Sequence, residues 1–505
     1  MEGMQIEVDK KGLGAALAMA GVVITILLIG NFVLTTAREI RIIPSPPPDA
    51  APVAGEPTDD NSFYLEPPAG KPVFLSRADI AKKRDTLMWE KRDFIFTDLD
   101  VMNVTLYASG TPRTSFPIVA RPQQGSLLAP PSGFYTIQGK AEHHVSKISP
   151  TGFSWAVYLY GNYLIHAAVP GLKTVGFVAS IKASEAGIQL AGEDAKQLFQ
   201  FSHEGMPALA SGGTGPQNVS FTYFRKSVLP HSVPEVSAAS VLAADLETGE
   251  ILFEKNQNDA FPIASVSKLV TALVAEEHIP SSKLLVVGSE ALGVYGNAAG
   301  FLKGEVFPAS ELLYGMILPS SNNAAKMFEL AVPDFIPHMN EKAREIGMTH
   351  ASFKDSSGLS QDNVASAGDL LTLLKYLDIK HPEILALSRE TSHTATSQNK
   401  LKTHVWVNIN WPRDDKRFLG GKTGFTDDSL QTMAGIYRVR TTEFGGRRIG
   451  IVVLGSRNRV SDIRSVIAYL EKNYVYGFAA SGVGTTLHPI ASGAAIYEAM
   501  QGMSQ

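Results

Sequence analysis

Between Leu13 and Thr35 the chain reads LGAALAMAGVVITILLIGNFVLT, without a charged side chain over 23 positions. A run of that length crosses the hydrocarbon core of a bilayer as a helix rising about 1.5 Å per residue. It also outruns the apolar part of a cleaved signal peptide, usually about 7–15 residues. Residues 13–35 are therefore read as a single-pass transmembrane anchor, preceded by a short N-terminus, residues 1–12. Lys10 and Lys11 before the span are matched by Arg38 and Arg41 after it, so flanking charge leaves the orientation open. Residues 36–75 follow as a linker containing PSPPPDAAPVAGEPTDDNSFYLEPPAGKP. Proline at that density removes amide donors and favours extended backbone, which suits a spacer.

A chain of 505 residues is long enough for two or three domains beyond such an anchor. Hydrophobic content of 44% and charged content of 19% are those of folded protein. The net charge of −4 gives no basic footprint for nucleic acid. With no cysteine, the chain has no disulfide, no thiol nucleophile and no cysteine-ligated metal.

Composition and period divide the remainder into two regions and a tail. Residues 76–215 open on a charged helical lead-in, SRADIAKKRDTLMWEKRDF, and continue in short strands. NVTLYASGTPRTSFPIVA predicts two strands joined at Gly110-Thr111-Pro112; GFYTIQGK and SWAVYLYGNYLIHAAV predict more, and EDAKQLFQF a short helix. ASGGTGPQNVS marks a boundary. Residues 235–480 then mix strands and helices, with a hairpin turning at Thr248-Gly249 and helices at SVSKLVTALVAEEH, Leu312–Leu330 and HMNEKAREIG. QTMAGIYRVR and RRIGIVVLGS read as strands flanking Gly445-Gly446, and SDIRSVIAYLEKNY as a closing helix. Strands at both ends with helices between predict an α+β domain around an antiparallel sheet. Residues 481–505 form a small, polar tail.

Three short motifs in the second region carry chemistry. Ser265-Val266-Ser267-Lys268 puts a hydroxyl and an amine three residues apart on one helical face. A serine hydroxyl becomes a useful nucleophile only when a nearby base takes its proton, and lysine serves when its pKa is lowered toward neutrality. Ser320-Ser321-Asn322 and Lys422-Thr423-Gly424 follow. Singly these read as a helix cap, a polar helix start and a turn-to-strand junction. In this order they match the S-x-x-K, S-x-N and K-T-G set of penicillin-recognising serine enzymes.

Around the motifs, LAADLETGEILFEKNQNDAFPIASVSKLVTALVA, LLYGMILPSSNNAA, HMNEKAREIGMTHASFKDSSGLS and GGKTGFTDD extend the match. From about Val236 to Gly477 the chain resembles the D-alanyl-D-alanine carboxypeptidases, the low-molecular-mass penicillin-binding proteins. That resemblance implies the α+β penicillin-binding/β-lactamase-like serine transpeptidase fold. It implies Ser265 as nucleophile, Lys268 as general base, and Ser320 as proton relay to the leaving D-alanine. Asn322, Lys422, Thr423 and Gly424 become the substrate-binding set, with Lys422 also helping to depress the Lys268 pKa. The backbone N–H groups of Ser265 and Phe425 form the implied oxyanion hole. The implied substrates are peptidoglycan stem peptides ending in D-Ala-D-Ala, with β-lactams as inhibitors and neither cofactor nor metal. Such a substrate lies outside the cytoplasmic membrane, so residues 1–12 become cytoplasmic and the rest extracytoplasmic. Class A β-lactamases share the motifs but need a glutamate on a later loop, and none occurs between Glu345 and Glu383. Cleavage of cross-linked peptides by the same residues, and a non-catalytic wall-binding scaffold, are the alternatives.

The first region resembles a different cell-wall enzyme. NVTLYASGTPRTSFPI, PPSGFYTI, YLIHAAVPG and GEDAKQLFQF with GMPALA follow the layout of the L,D-transpeptidase catalytic domain over about Asp98–Ala210. That family's core motif reads Ser-His-Gly-Cys-Ile-Arg-Leu, and the aligned residues here are Ser184, Glu185, Ala186, Gly187, Ile188, Gln189 and Leu190. Gly187 stands where the thiol would be, and His166 matches the family's upstream histidine. The expectation is a β-rich domain inactive by that mechanism, since the attacking group is a thiolate.

Overall fold

The computed structural model describes residues 70–124, 126–146, 152–168, 187–215, 221–226, 233–411 and 415–478, and the backbone of 488–489. The Leu13–Thr35 run, the linker up to residue 69, Ser184 to Ala186 and the rest of the tail lie outside these residues. Among the described residues no helix is long and apolar enough to cross a membrane.

In the first region β1 (Val73–Phe74) and α1 (Arg77–Trp89) lead in, with Ser76 capping α1 by accepting from the Asp79 amide. Then come β2 (Phe94–Asp98), β3 (Asn103–Ala108), β4 (Thr111–Pro117), β5 (Gly133–Thr136), β6 (Gly139–Val145), β7 (Gly152–Tyr160), β8 (Tyr163–Ala167) and β9 (Ile188–Leu190). Helix α2 (Gly192–Phe201) and β10 (Pro207–Ser211) close the region. The strands form two sheets, β1-β5-β10-β2-β3-β4 and β6-β7-β8-β9. Val104, Leu106, Tyr135, Val157, Ile165, Ile188 and Leu198 share one buried core. The β3–β4 turn falls one residue earlier than its glycine-threonine-proline sequence predicts. Ser109 and Gly110 take the two positive φ angles, 50° and 73°, that a tight hairpin requires. Pro112 is left in β4, an edge strand, where its missing amide is tolerated.

The second region begins earlier than its motifs. Strand β11 (Phe221–Arg225) pairs antiparallel with β23 (Tyr474–Phe478), far along the chain. Between them run β12 (Ser240–Asp245), β13 (Ile251–Lys255), β14 (Ala260–Pro262), a 3-10 turn over Ala264–Ser267, α3 (Lys268–His278), β15 (Leu284–Val286), α4 (Ser289–Leu292) and β16 (Val306–Pro308). Next are α5 (Ala309–Ile317), α6 (Asn322–Ala331), α7 (Phe335–Glu345), β17 (Val364–Ser366), α8 (Ala367–Lys380), α9 (Pro382–Leu387), β18 (Ser392–Thr396) and β19 (Thr403–Val407). Strands β20 (Phe418–Thr426), β21 (Leu430–Val439) and β22 (Arg447–Ser456) and helix α10 (Arg459–Asn473) complete the set.

The main sheet runs β13-β12-β22-β21-β20 and is antiparallel throughout. Ile451 and Val453 face α10, packed with Ile463, Val466 and Leu470. Val452 and Leu454 face the other way, into a core shared with α3, α5 and α8. Both faces are covered, which is why Ile451–Leu454 is apolar at every position rather than alternating. The apolar run from Leu312 to Leu330, expected as one helix, is interrupted. Ser320 adopts φ 62°, and Ser321 restarts the chain as N-cap of α6, accepting from the Ala324 amide at 3.3 Å.

The turn between β21 and β22 docks into the first region. Phe444 stacks on Tyr158 with ring centroids 4.4 Å apart, and its amide donates to Gly161 O at 3.0 Å. Glu443 lies 2.8 Å from His144 Nε2 and accepts from Ser146 Oγ at 2.6 Å, both carboxylate oxygens being engaged. Asn162 bridges, donating to Tyr476 O and accepting from the Glu443 amide.

Candidate active site

The chain enters the 3-10 turn through Ala264, held at φ 47°, so that Ser265 stands half-buried at the mouth of α3. Strand β20, at the sheet edge, passes beside this turn. A Cβ on Gly424 would sit 2.5 Å from Thr432 Oγ1, 2.7 Å from Ile263 O and 2.9 Å from Ala264 Cβ. Only glycine permits that approach, which brings Lys422, Thr423 and Phe425 alongside the serine.

Lys268, one turn beyond Ser265 and the first residue of α3, is fully buried. Its Nζ lies 2.8 Å from Ser265 Oγ, 2.7 Å from Asn322 Oδ1 and 2.6 Å from Ser357 O. Burial lowers its pKa to about 7, against an opposing pull from Asp355. The orientation of Asn322 is fixed because its Nδ2 donates to Tyr295 O at 2.8 Å. Asn322 Oδ1 and the Ser357 carbonyl can therefore only accept. A neutral amine has two hydrogens, and these two acceptors take both, which aims its lone pair at the Ser265 hydroxyl. This arrangement is able to withdraw the serine proton.

The expected motif residues are thus gathered, with two adjustments. Burial, rather than Lys422, is what lowers Lys268; the coupling is felt by Lys422, which burial, Lys268 and Arg459 hold well below the usual lysine range. Ser320 is not among the three partners of Lys268 Nζ; it sits half-buried on the strained link leading to Asn322. Ser321, its neighbour, is fully buried and engaged as a helix cap, leaving Ser320 as the less buried serine of this motif.

Several contributors were not singled out by motif. Asn410 Oδ1 accepts from Lys422 Nζ at 2.7 Å, from the Thr423 amide at 3.2 Å and from Thr423 Oγ1 at 3.1 Å. The sequence offers only a faint signal, two asparagines, Asn408 and Asn410, between Trp406 and Trp411. Arg459, at the start of α10, reaches Gly424 O at 3.3 Å. Asp355 shapes the loop that offers the Ser357 carbonyl: it accepts from Ser357 N, Ser357 Oγ, Gly358 N and Ser360 N, each at 2.7 Å. Burial raises the Asp355 pKa, but these hydrogen bonds outweigh it and keep the carboxyl below its ordinary value.

Elsewhere, Glu276, His381 and Glu383 bring three ligand-type atoms within 4.8 Å. His381 Nδ1 is 3.3 Å from each carboxylate, and this mutual pairing accounts for the group. A cavity of about 550 Å³ opens between the two regions, bordered by Tyr160, Tyr163, Phe221, Arg447 and Tyr476. It lies away from Ser265, and its Arg447 is paired with Asp245 and Glu247.

In the first region, His166 is fully buried, stacked on Phe153 at 4.0 Å, with Nδ1 2.7 Å from Ala167 O. A Cβ added at Gly187 would stand 3.0 Å from His166 Cδ2, 3.1 Å from its Nε2 and 3.0 Å from Leu164 O. Gly187 is also buried, at φ 108°.

A nucleophile helix presenting Ser265 and a depressed Lys268, beside an edge strand carrying Lys-Thr-Gly, defines a serine-type hydrolase. Residues 227–458 match the family model described as D-alanyl-D-alanine carboxypeptidase. The chain is 31% identical over 258 residues to a D-alanyl-D-alanine endopeptidase of Escherichia coli strain K12, covering 48% of this chain and 80% of that protein. It is 30% identical over 273 residues to a D-alanyl-D-alanine carboxypeptidase of Bacillus subtilis strain 168, covering 50% of this chain and 65% of that protein. A solved D-alanyl-D-alanine carboxypeptidase of Mycobacterium tuberculosis H37Rv is 25% identical, with a TM-score of 0.44 over 48% of this chain and 94% of that one. The chain belongs to the D-alanyl-D-alanine carboxypeptidase family of serine peptidases.

Proposed function

We propose that the protein is a membrane-anchored serine D-alanyl-D-alanine carboxypeptidase that trims the terminal D-alanine from peptidoglycan stem peptides. The observation that carries this reading is the pairing at Lys268, two obligate acceptors directing its lone pair toward Ser265. Lys268 takes the hydroxyl proton as Ser265 attacks the penultimate D-alanine carbonyl, and an acyl-enzyme forms. Ser320 passes a proton to the departing D-alanine. The amides of Ser265 and Phe425 hold the developing oxyanion. The terminal carboxylate of the substrate, or that of a penicillin, binds at Lys422 and Thr423, with the peptide extended along the open edge of β20. Water then releases the acyl group. The Leu13–Thr35 run holds the enzyme in the cytoplasmic membrane, with the domains outside, where the substrate lies.

Similarity to a D-alanyl-D-alanine endopeptidase supports a second substrate, the cross-linked peptide, handled by the same residues. For the first region we propose an L,D-transpeptidase-like domain that is catalytically silent. Its two-sheet build and the closeness of His166 to the Gly187 position support this, and its contacts with the β21–β22 turn make it a brace for the catalytic sheet.

Covalent labelling with a fluorescent penicillin tests the enzyme reading. The wild-type protein is expected to label and the Ser265→Ala variant to remain unlabelled while folded. A folded wild type that takes no label overturns it. D-alanine release from a pentapeptide, measured against cleavage of purified cross-linked dimers, separates the two substrates.

A further inference from the structure

We propose that Asn410 is a positioning residue for carboxylate recognition, clasping Lys422 and Thr423 with a neutral amide so that the lysine's charge remains available to the ligand. The proposal rests on the reading above, in which Lys422 and Thr423 receive the carboxylate of a peptide or β-lactam.

Asn410 is 1% exposed, so every polar atom on it needs a partner. Its Nδ2 donates to Ile317 O at 2.9 Å, a carbonyl at the end of α5, three residues before Ser320. That bond settles which end of the amide is oxygen, because a carbonyl can only accept. Oδ1 therefore faces β20, where it gathers Lys422 Nζ, the Thr423 amide and Thr423 Oγ1. One side chain thus fixes both ligand-facing groups of the third motif and ties them to the approach to the second. The backbone amide of Asn410 is itself held by Asn408 Oδ1 at 2.8 Å. Asn408 in turn donates to the Ser388 and Glu390 carbonyls, each at 2.7 Å, and Ser388 Oγ accepts from the Gly421 amide at 2.8 Å. The clasp thus holds two successive outward amides of the edge strand, those of Gly421 and Thr423.

The choice of amide over carboxylate matters. Aspartate has the same shape, but at this buried position it would form a full ion pair with Lys422. The incoming carboxylate would then meet a pair of zero net charge, and repulsion from the second anion would offset the lysine's attraction. An amide oxygen orients the ammonium by a hydrogen bond and carries no net charge to compete. Lys422 already lies in an environment that disfavours its charge, through burial and through Lys268 and Arg459. Among the described residues Lys422 Nζ meets only neutral acceptors, Asn410 Oδ1 and the Thr423 carbonyl at 3.0 Å, so a ligand carboxylate would supply a counter-charge there.

The test compares benzylpenicillin with its methyl ester, which keeps the reactive ring and lacks the carboxylate. Second-order acylation rates are measured for wild type and Asn410→Asp in the full chain, with folding checked by circular dichroism. The wild type is expected to prefer the acid. In Asn410→Asp that acid-over-ester preference is expected to fall by between about tenfold and a hundredfold, the range for a lost charge-assisted bond. The loss should sit in the binding constant, leaving the limiting acylation rate little changed. Asn410→Ser, which is too short to reach Lys422, gives the same comparison if the aspartate variant does not fold, with a loss of preference in the same direction. If acid and ester slow equally in the folded variants, the residue supports structure alone and the inference falls. An unchanged preference also overturns it. A wild type that is acylated by neither compound fails the enzyme reading instead, so the two failures are distinct.

Discussion

The molecule holds two places where a basic side chain stands beside a candidate nucleophile position, and only one of them is furnished. At Ser265 the hydroxyl is present, the lysine lone pair is aimed by two obligate acceptors, and an edge strand brings Lys422 and Thr423 alongside. At Gly187 a histidine nitrogen lies 3.1 Å from where a side chain would begin, yet no side chain begins there. The surroundings differ as sharply. Lys268 meets two acceptors and the Ser265 hydroxyl, whereas His166 pairs through Nδ1 with the Ala167 carbonyl and stacks on Phe153, beside an aromatic cluster that continues toward the docked Phe444. A base next to a position is therefore not a site. What makes one here is a nucleophile standing at that position, which Ser265 supplies and Gly187 does not.

Removing the base should break this contrast most severely. Lys268→Ala is expected to slow penicillin acylation of Ser265 by about 10²–10⁴-fold, the usual contribution of a positioned general base. A variant retaining more than a tenth of the wild-type rate would show that some other group takes the proton. The same lysine sets a pH profile. With its pKa lowered to about 7, the neutral form that accepts the proton prevails above that pH. Acylation should be flat at alkaline pH and fall about tenfold per unit below 7. The linked stability has the same sign. Between about pH 7 and the ordinary lysine value the unfolded chain binds the proton that the folded chain has released, so this group's contribution to stability rises with pH across that window. Replacing it with methionine should flatten that part of the stability curve, and denaturant melts at several pH values would read the difference.

The first region's part in the comparison is tested by stability. Phe444→Ala removes the ring stacked on Tyr158 and should cost about 3–5 kcal/mol, as a buried phenylalanine truncation does. If thermal melting hardly moves, the region does not brace the catalytic sheet. The smallest effect concerns the empty position itself. Gly187→Cys must force a Cβ against the His166 ring at a backbone angle of φ 108°, and should cost about 1–3 kcal/mol. No stem-peptide adduct on the introduced thiol is expected by mass spectrometry. An adduct would mean the region keeps more of a transpeptidase site than its aromatic packing suggests.

The division of information between sequence and fold follows from where each contact lies along the chain. The serine and lysine of the first motif are three residues apart, so one helical turn suffices to join them, and the residue string alone announces the pair. The same holds for the two-faced apolar strand at Ile451–Leu454 and for the hairpin at Gly249, whose residue types dictate local conformation. The helix expected over Leu312–Leu330 failed because period reports burial and not continuity. Pro319, which has no amide to donate, cannot continue the helix that ends at Ile317, and Ser320 follows it with a left-handed backbone. Sequence by itself thus determined the chemistry present: which nucleophile, which amine, which edge strand, and the absence of any thiol. Tertiary structure decided how that chemistry is aimed. The carbonyl of Ser357, 89 residues from Lys268, completes the lysine's pairing, and Asp355 builds the loop that offers it. Arg459 reaches Gly424 across 35 residues, and Asn410 reads as a plain loop asparagine until β20 lies against it. Such groups act through direction and burial, and these exist only once distant segments have packed together.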